Sequence, residues 1–204
     1  MKNSLKFLLL ALALSCLSFV TNDNKVIHVV IDAGHGGHDH GATFEAFKEK
    51  EIAEIISKKI YELNTDTDVK IHFTRHDDSP ISLIERADVI NHIKPDLAIS
   101  LHVNMNKNTD TRGFEVYVSD QSNHYEKSNV LAEKLVLKIA KQSPLNNRGV
   151  KKAPFMVLKK ADCPALLVEF GFISNEIDRS YLTSDKGQTE MAQTILEFVS
   201  DLKQ

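Results

Sequence analysis

Val29-Val30-Ile31-Asp32-Ala33-Gly34-His35-Gly36-Gly37-His38-Asp39-His40-Gly41 is the stretch around which the rest of the chain reads. Its β-branched run stops at a histidine set among glycines, which is how a buried strand delivers a functional side chain into a turn at its end. Val26 to Ile31 is nearly all apolar, the pattern of a strand covered on both faces. Such strands belong to parallel sheets, so the segments on either side are expected to alternate between strand and helix.

Residues 49–63 carry Ile52, Ile55, Ile56, Ile60 and Leu63 at helical spacing, with Lys50, Glu51, Glu54 and Lys58 off that stripe. Val69 to Phe73 reads as a second strand. Ser79-Pro80 opens a second helix, with Ser82 and Glu85 as an alternative capping box, and Pro95 closes it. Leu97 to Leu101 is a third strand, and β, α, β, α, β in this order implies parallel neighbours joined by right-handed crossovers. Gly113 to Val118 alternates as a strand, Glu126 to Lys141 is amphipathic through Val130, Leu131, Leu135 and Ile139, and Phe155 to Leu158 reads as a short strand. Ala165 to Val168 is a further buried strand, and a helix from about Thr189 to Leu202 closes the chain. The expected architecture is a single α/β domain over residues 26–204, with a mostly parallel twisted sheet of about six strands and helices on both faces.

The 204 residues are 42% hydrophobic and 26% charged, enough for one core without disulfides. Lys2 and Lys6 precede an apolar run from Phe7 to Leu14, which reads as a secretory signal peptide within residues 1–20. Ala13-Leu14-Ser15-Cys16 loosely resembles a bacterial lipoprotein cleavage site with Cys16 acylated, and ordinary cleavage nearby is the alternative. The protein is thus expected to be exported to the periplasm or cell envelope, with Cys16 as a candidate membrane tether. The formal net charge of −3 becomes −5 without the two leader lysines, so nucleic acid is not an expected partner. Cys163 would remain as the internal cysteine, which gives no disulfide framework and reads as a small buried residue.

In open α/β sheets ligands sit beyond the carboxyl ends of the strands. His35, His102 and Glu169 each fall at or just past such an end, so parallel strands would bring them to one edge. Glu49 joins them by helical geometry: at about 100° per residue it lies within about 20° of Ile56 and Ile60, facing inward, whereas Glu51 and Glu54 point away. A buried carboxylate needs a partner, and so does Glu169 inside its apolar run. Taken singly, His35 could be an ordinary loop histidine and His102 a satisfied core histidine on the small-residue face Ala98, Ser100, His102. Together, two imidazoles and a carboxylate with an open fourth position match a catalytic zinc arrangement, and the chain has too few cysteines for a structural one.

Seven motifs in order are similar to the zinc-dependent N-acetylmuramoyl-L-alanine amidases (amidase type 3) that cut bacterial peptidoglycan. They are DAGHGGHDHGA at 32–42, KEKEIA at 48–53, TR at 74–75, SLIERADVIN at 82–91, SLHVN at 100–104, NRGVKKAPFMVL at 147–158 and PALLVEFGFISN at 164–175. The resemblance runs from about Val26 to the last helix. It implies that His35, Glu49 and His102 bind one zinc ion, and that Glu169 is the general base that later protonates the leaving amine. The implied reaction is hydrolysis of the amide between N-acetylmuramic acid and L-alanine of the stem peptide, in wall remodelling or daughter-cell separation. A zinc peptidase acting on other peptides and a catalytically silent wall-binding module are the competing readings. Val103 and Met105 stand where relatives commonly carry smaller residues, which bears on substrate preference. Some relatives also carry a self-blocking helix before the last glutamate. Here one strand, one helix and a short strand fill that interval, so no residue of 119–147 is expected on the metal; the sequence leaves the activator protein unassigned.

Overall fold

The computed structural model describes residues 25–203, so the leader and Cys16 lie outside the described residues. Its elements in chain order are β1 (Ile27–Ala33), the small hairpin β2 (Thr43–Phe44) and β3 (Phe47–Lys48), α1 (Glu49–Leu63), β4 (Val69–Phe73), α2 (Leu83–Ile93), β5 (Leu97–Asn104), β6 (Phe114–Val118), α3 (Tyr125–Gln142), β7 (Asn147–Lys152), α4 (Met156–Lys160), β8 (Ala165–Phe172), α5 (Glu176–Leu182) and α6 (Asp185–Ser200). Six strands form one sheet in the order β4-β1-β5-β8-β6-β7. The first four are parallel, β6 runs antiparallel to β8, and β7 runs parallel to β6.

The expected α/β class, mostly parallel sheet and two-sided helical cover are all present. From β1 the chain crosses to β4 on one side and then returns to β5 on the other, so β1 and β5 flank a topological switch point. Period-two alternation divides the strand residues between two cores. Val29, Ile31, Ile99 and Leu101 meet Ile52, Ile56 and Ile60 of α1 and the buried side of α3 and α6. Val30, Ala98 and Leu167 meet Ile90 of α2 and Val157 and Leu158 of α4. Burying each aliphatic side chain contributes about 1.5–3 kcal/mol, and both faces of β1 are covered.

Several local expectations need correction. Phe155 to Leu158 is not a strand: Met156–Lys160 is a short helix, α4, that covers the second face beside α2. Four apolar residues cannot separate the two periodicities, and packing decides in favour of the helix. The strand in this region is Asn147–Lys152, an edge strand whose exposed, polar sequence gives no alternation. Helix α2 starts after Ser82, not at Ser79-Pro80. The Ser82 hydroxyl accepts from the Glu85 N–H, the Glu85 carboxylate accepts from the Ser82 N–H, and this reciprocal box fixes the first turn. Ile55, Leu63 and Val130, assigned to inward stripes, are exposed at the margins of their helices. Helix α6 begins four residues earlier than expected, because the Ser184 hydroxyl caps Gly187 N–H.

Candidate metal centre

The turn after β1 is fixed from below by two buried arginines. Arg75 donates through Nε to the Ala33 carbonyl (3.0 Å) and through Nη2 to that of Gly34 (3.2 Å). Arg86, on the inner face of α2, donates to the carbonyls of Ala33 (2.7 Å) and His35 (2.5 Å). Held this way, His35 takes a left-handed backbone (φ 59°) that a non-glycine residue adopts only when its surroundings enforce it. Gly34 must stay without a side chain, since a Cβ there would run into the His102 ring. At Gly41 (φ +65°) a Cβ would lie 2.5 Å from Glu49 Oε2 and 2.6 Å from His35 Cδ2. The glycines of the opening stretch therefore make room for three functional side chains.

Those side chains converge. Glu49, buried in the first turn of α1, reaches over the carboxyl edge of the sheet. Its Oε1 lies 2.7 Å from His102 Nδ1 and 3.1 Å from His35 Nε2. The two rings stand edge to face with centroids 5.0 Å apart. One donor atom from each of His35, Glu49 and His102 lies within 4.8 Å of the others, and this is the geometry of a shared cation site. Backbone N–H groups of Ala42 (2.7 Å) and Val103 (3.1 Å) orient the Glu49 carboxylate. Asp39 accepts from His35 Nδ1 (2.8 Å) and thereby turns Nε2 toward Glu49. Sequence reasoning missed Asp39 and Arg86, although Arg86 stands four residues before the buried Ile90 on α2, and a charge on an apolar stripe is a signal.

Charge follows geometry. Burial pulls the His35 imidazole down, but its hydrogen bonds and proximity to Glu49 and Asp39 outweigh this and raise it to about 9. Burial likewise opposes ionisation of Glu49, and the two imidazoles overcome it, holding the carboxyl far below its ordinary range. The site thus keeps its carboxylate charged and concentrates cations, or protons in their place, on it.

Glu169 sits beside this group in the same row of the sheet, since His102 of β5 pairs in register with Glu169 of β8. Both belong to strand interiors near the carboxyl end rather than to the last residue, because β5 and β8 continue past a register shift between His102 and Asn104. Glu169 Oε2 is buried and has no hydrogen-bond partner among the described residues. Burial drives its carboxyl up to about 7. The charge of His102 pulls against this, and Glu49 and Glu115 push with it. A buried acceptor without a donor costs about 1–3 kcal/mol, so this orphaned oxygen fits a reacting group that the cleft receives. The donor set of two imidazoles and one carboxylate fits a zinc-type cation, and the orphaned Glu169 oxygen lies beside it.

A cleft of about 820 Å³ opens above these residues, walled by the start of α2 (Ser82, Leu83), by Met105 and by Phe155 and Met156. Among the described residues no side chain of 119–147 lines it, and α3 lies on the opposite face of the sheet, against α6. Val103 turns into the core on the α1 side while its N–H holds Glu49, and Met105 is half exposed on the cleft wall. Cys163 is buried beneath α4, where desolvation pushes its thiol up to about 12, an inert structural residue.

Residues 29–201 match the family model described as N-acetylmuramoyl-L-alanine amidase. The chain is 34% identical over 179 residues to an endolysin of Bacillus phage SPP1, covering 85% of this chain and 65% of the relative. It is 34% identical over 168 residues to the N-acetylmuramoyl-L-alanine amidase LytC of Bacillus subtilis, covering 82% and 34%. The fold matches the crystal structure of an N-acetylmuramoyl-L-alanine amidase from Clostridium difficile 630 with a TM-score of 0.81 at 30% identity, over 87% of this chain and 96% of that one. The chain thus spans about two thirds of the phage relative and one third of LytC. With a family model matched across nearly all of the described residues, this chain belongs to the N-acetylmuramoyl-L-alanine amidase family.

Proposed function

We propose that this protein is a zinc-dependent amidase of the cell envelope that hydrolyses the bond between the lactyl group of N-acetylmuramic acid and L-alanine of the peptidoglycan stem, in wall remodelling or daughter-cell separation. His35, Glu49 and His102 would hold one zinc ion. The observation that carries the reading is the juxtaposition of this donor triad with an acid whose buried oxygen is unengaged. A bound zinc polarises a carbonyl and lowers the pKa of a water from 15.7 to about 7.

The remaining work falls to Glu169. A glutamate of ordinary pKa near 4.3 facing bulk water at 15.7 is short by about 11 in pKa, roughly 15 kcal/mol. Burial raises the Glu169 carboxyl and narrows that gap from the base side, while the zinc would narrow it from the side of the water. Its Oε2 takes a proton as the hydroxyl adds to the amide carbon, and the same oxygen delivers that proton to the nitrogen as the C–N bond breaks. The products are the free lactyl carboxylate and the amino terminus of L-alanine. Asp39 keeps the His35 tautomer fixed, and the buried core beneath the cleft keeps bulk water from the far side.

Peptidoglycan as the substrate accords with the names of the relatives and with the secretory leader expected at residues 1–20. Cys16 would supply a lipid tether if it is the acylated residue, and labelling with a radioactive fatty acid tests it. The function is tested by digesting purified cell wall and identifying the new ends. Free L-alanine amino groups on the stems are expected. Cleavage confined to other peptide bonds would support a peptidase instead, and binding without any new ends would support a wall-binding module.

A further inference from the structure

Four side chains form a row across adjacent strands: His102 on β5, Glu169 on β8, Glu115 on β6 and Arg148 on β7. Glu115 pairs in register with Glu169. The irregularity between Phe114 and Val116 puts the Arg148-Gly149 pair opposite Glu115. Glu115 is a buried acid that is fully engaged. Its Oε1 accepts from Arg148 Nε at 2.8 Å, and its Oε2 accepts from the Tyr117 hydroxyl at 2.8 Å and lies 3.4 Å from Asn104 Nδ2.

Arg148 is built differently from the other arginines near the site. Arg75 and Arg86 are buried and spend their nitrogens on backbone carbonyls and acids. Arg148 is anchored through Nε alone, its guanidinium lies 5.2 Å from the Phe172 ring centroid, and its side chain is 37% exposed. Neither of its Nη atoms makes a hydrogen bond among the described residues. The planar fork is therefore fixed in place by Glu115 and Phe172 with its two outer nitrogens free, a pre-organised pair of donors for a carboxylate.

We propose that Arg148 is a specificity-determining residue that docks the free carboxylate of the second residue of the stem peptide. The inference rests on the proposed amidase reaction and on direction. The acyl side of the scissile amide faces the His35, Glu49, His102 triad, and the leaving nitrogen must come within reach of Glu169. The leaving peptide thus lies on the Glu169 side of the triad, toward β6 and β7. Strands spaced about 4.8 Å apart put Arg148 roughly 10 Å from Glu169 along the row. An extended peptide advances about 3.3 Å per residue, so an acidic side chain or terminus on the second residue falls within reach of the long arginine.

The experiment compares two muramoyl-L-alanyl peptides that differ in one group, a free carboxylate or a primary amide on the second residue. Wild type is expected to favour the free acid in kcat/KM by about ten- to hundredfold, the range of a charge-assisted hydrogen bond. In Arg148→Gln, and in the Glu115→Gln/Arg148→Gln double variant that leaves no unpaired buried acid, this ratio collapses toward one through a raised KM for the free acid. A merely structural ion pair would change stability and leave the ratio intact. Equal turnover of both substrates by wild type, or an unchanged ratio in both variants, overturns the inference while the amidase reading stands. Release of no peptide from either substrate by wild type overturns the amidase reading and the inference with it.

Discussion

Asp32 and Glu169 are buried acids on the same face of one sheet, a few residues apart in register, and the protein treats them in opposite ways. Asp32 accepts from the Thr74 hydroxyl at 2.6 Å, from Arg86 Nη1 at 2.7 Å and from the Ser100 hydroxyl at 2.6 Å. Burial alone would raise its carboxyl, but the Arg86 charge and the hydroxyl hydrogen bonds win and hold it low. Glu169 has an oxygen with no partner and is held near 7. The engaged acid belongs to the scaffold, because both of its oxygens are committed to tying β1 to the end of β4, to β5 and to α2. The other keeps an acceptor position open, as the proposed general base requires. The difference teaches that, near a site, the number of unfilled hydrogen-bond positions separates chemistry from support better than burial does.

Substitution of each acid should break the comparison in a different observable. Glu169→Gln is expected to lower kcat by about 10²–10⁴-fold, the usual contribution of a positioned general base, in an assay of released L-alanine ends. The wild-type rate should rise with pH through about 7 as Glu169 loses its proton, and the residual rate of the variant should lack that limb. The same variant should not be destabilised. A carboxyl whose folded pKa lies above its unfolded value stabilises the fold less as pH rises between the two, so metal-free Glu169→Gln should at pH 8 be at least as stable as wild type. Loss of stability in that variant would place Glu169 in the scaffold.

Asp32→Asn should show the reverse pattern. It leaves the buried Arg86 without its counter-charge, which costs about 3–5 kcal/mol, or a drop of roughly 10 °C in Tm for a domain of this size. A thermal melt of the metal-loaded protein measures it, and an unchanged Tm would contradict the role given to Asp32. The smallest effect expected is at Asp39, which orients His35 from an exposed position. Asp39→Asn should weaken metal binding by about 10–100-fold in a chelator competition, with the fold intact.

Much of this contrast was legible in the sequence because periodicity carries it. The inward phase of Glu49 relative to Ile56 and Ile60 is a property of any α-helix, and its buried place at the metal centre follows. The small face Ala98, Ser100, His102 likewise leaves the space that the cleft occupies. What was not legible depends on tertiary partners. Asn147–Lys152 is an edge strand without hydrophobic alternation, so nothing local marks it, and Arg148 on it acquires meaning only beside Glu115. Phe155 to Leu158 is too short for its period to be read. Asp32 and Glu169 are both acids at the end of apolar runs, and only the presence of Arg86, Thr74 and Ser100 around the first tells them apart.

In the proposed function His35, Glu49 and His102 hold one zinc ion, and Glu169 takes no part in holding it. Elemental analysis after exhaustive dialysis against metal-free buffer, on wild type, His102→Ala and Glu169→Gln, tests it most directly. One zinc per chain is expected in wild type and in Glu169→Gln, with substantial loss in His102→Ala. Wild type that retains no zinc, or a His102→Ala variant that retains it in full, would overturn the assignment of the ligands.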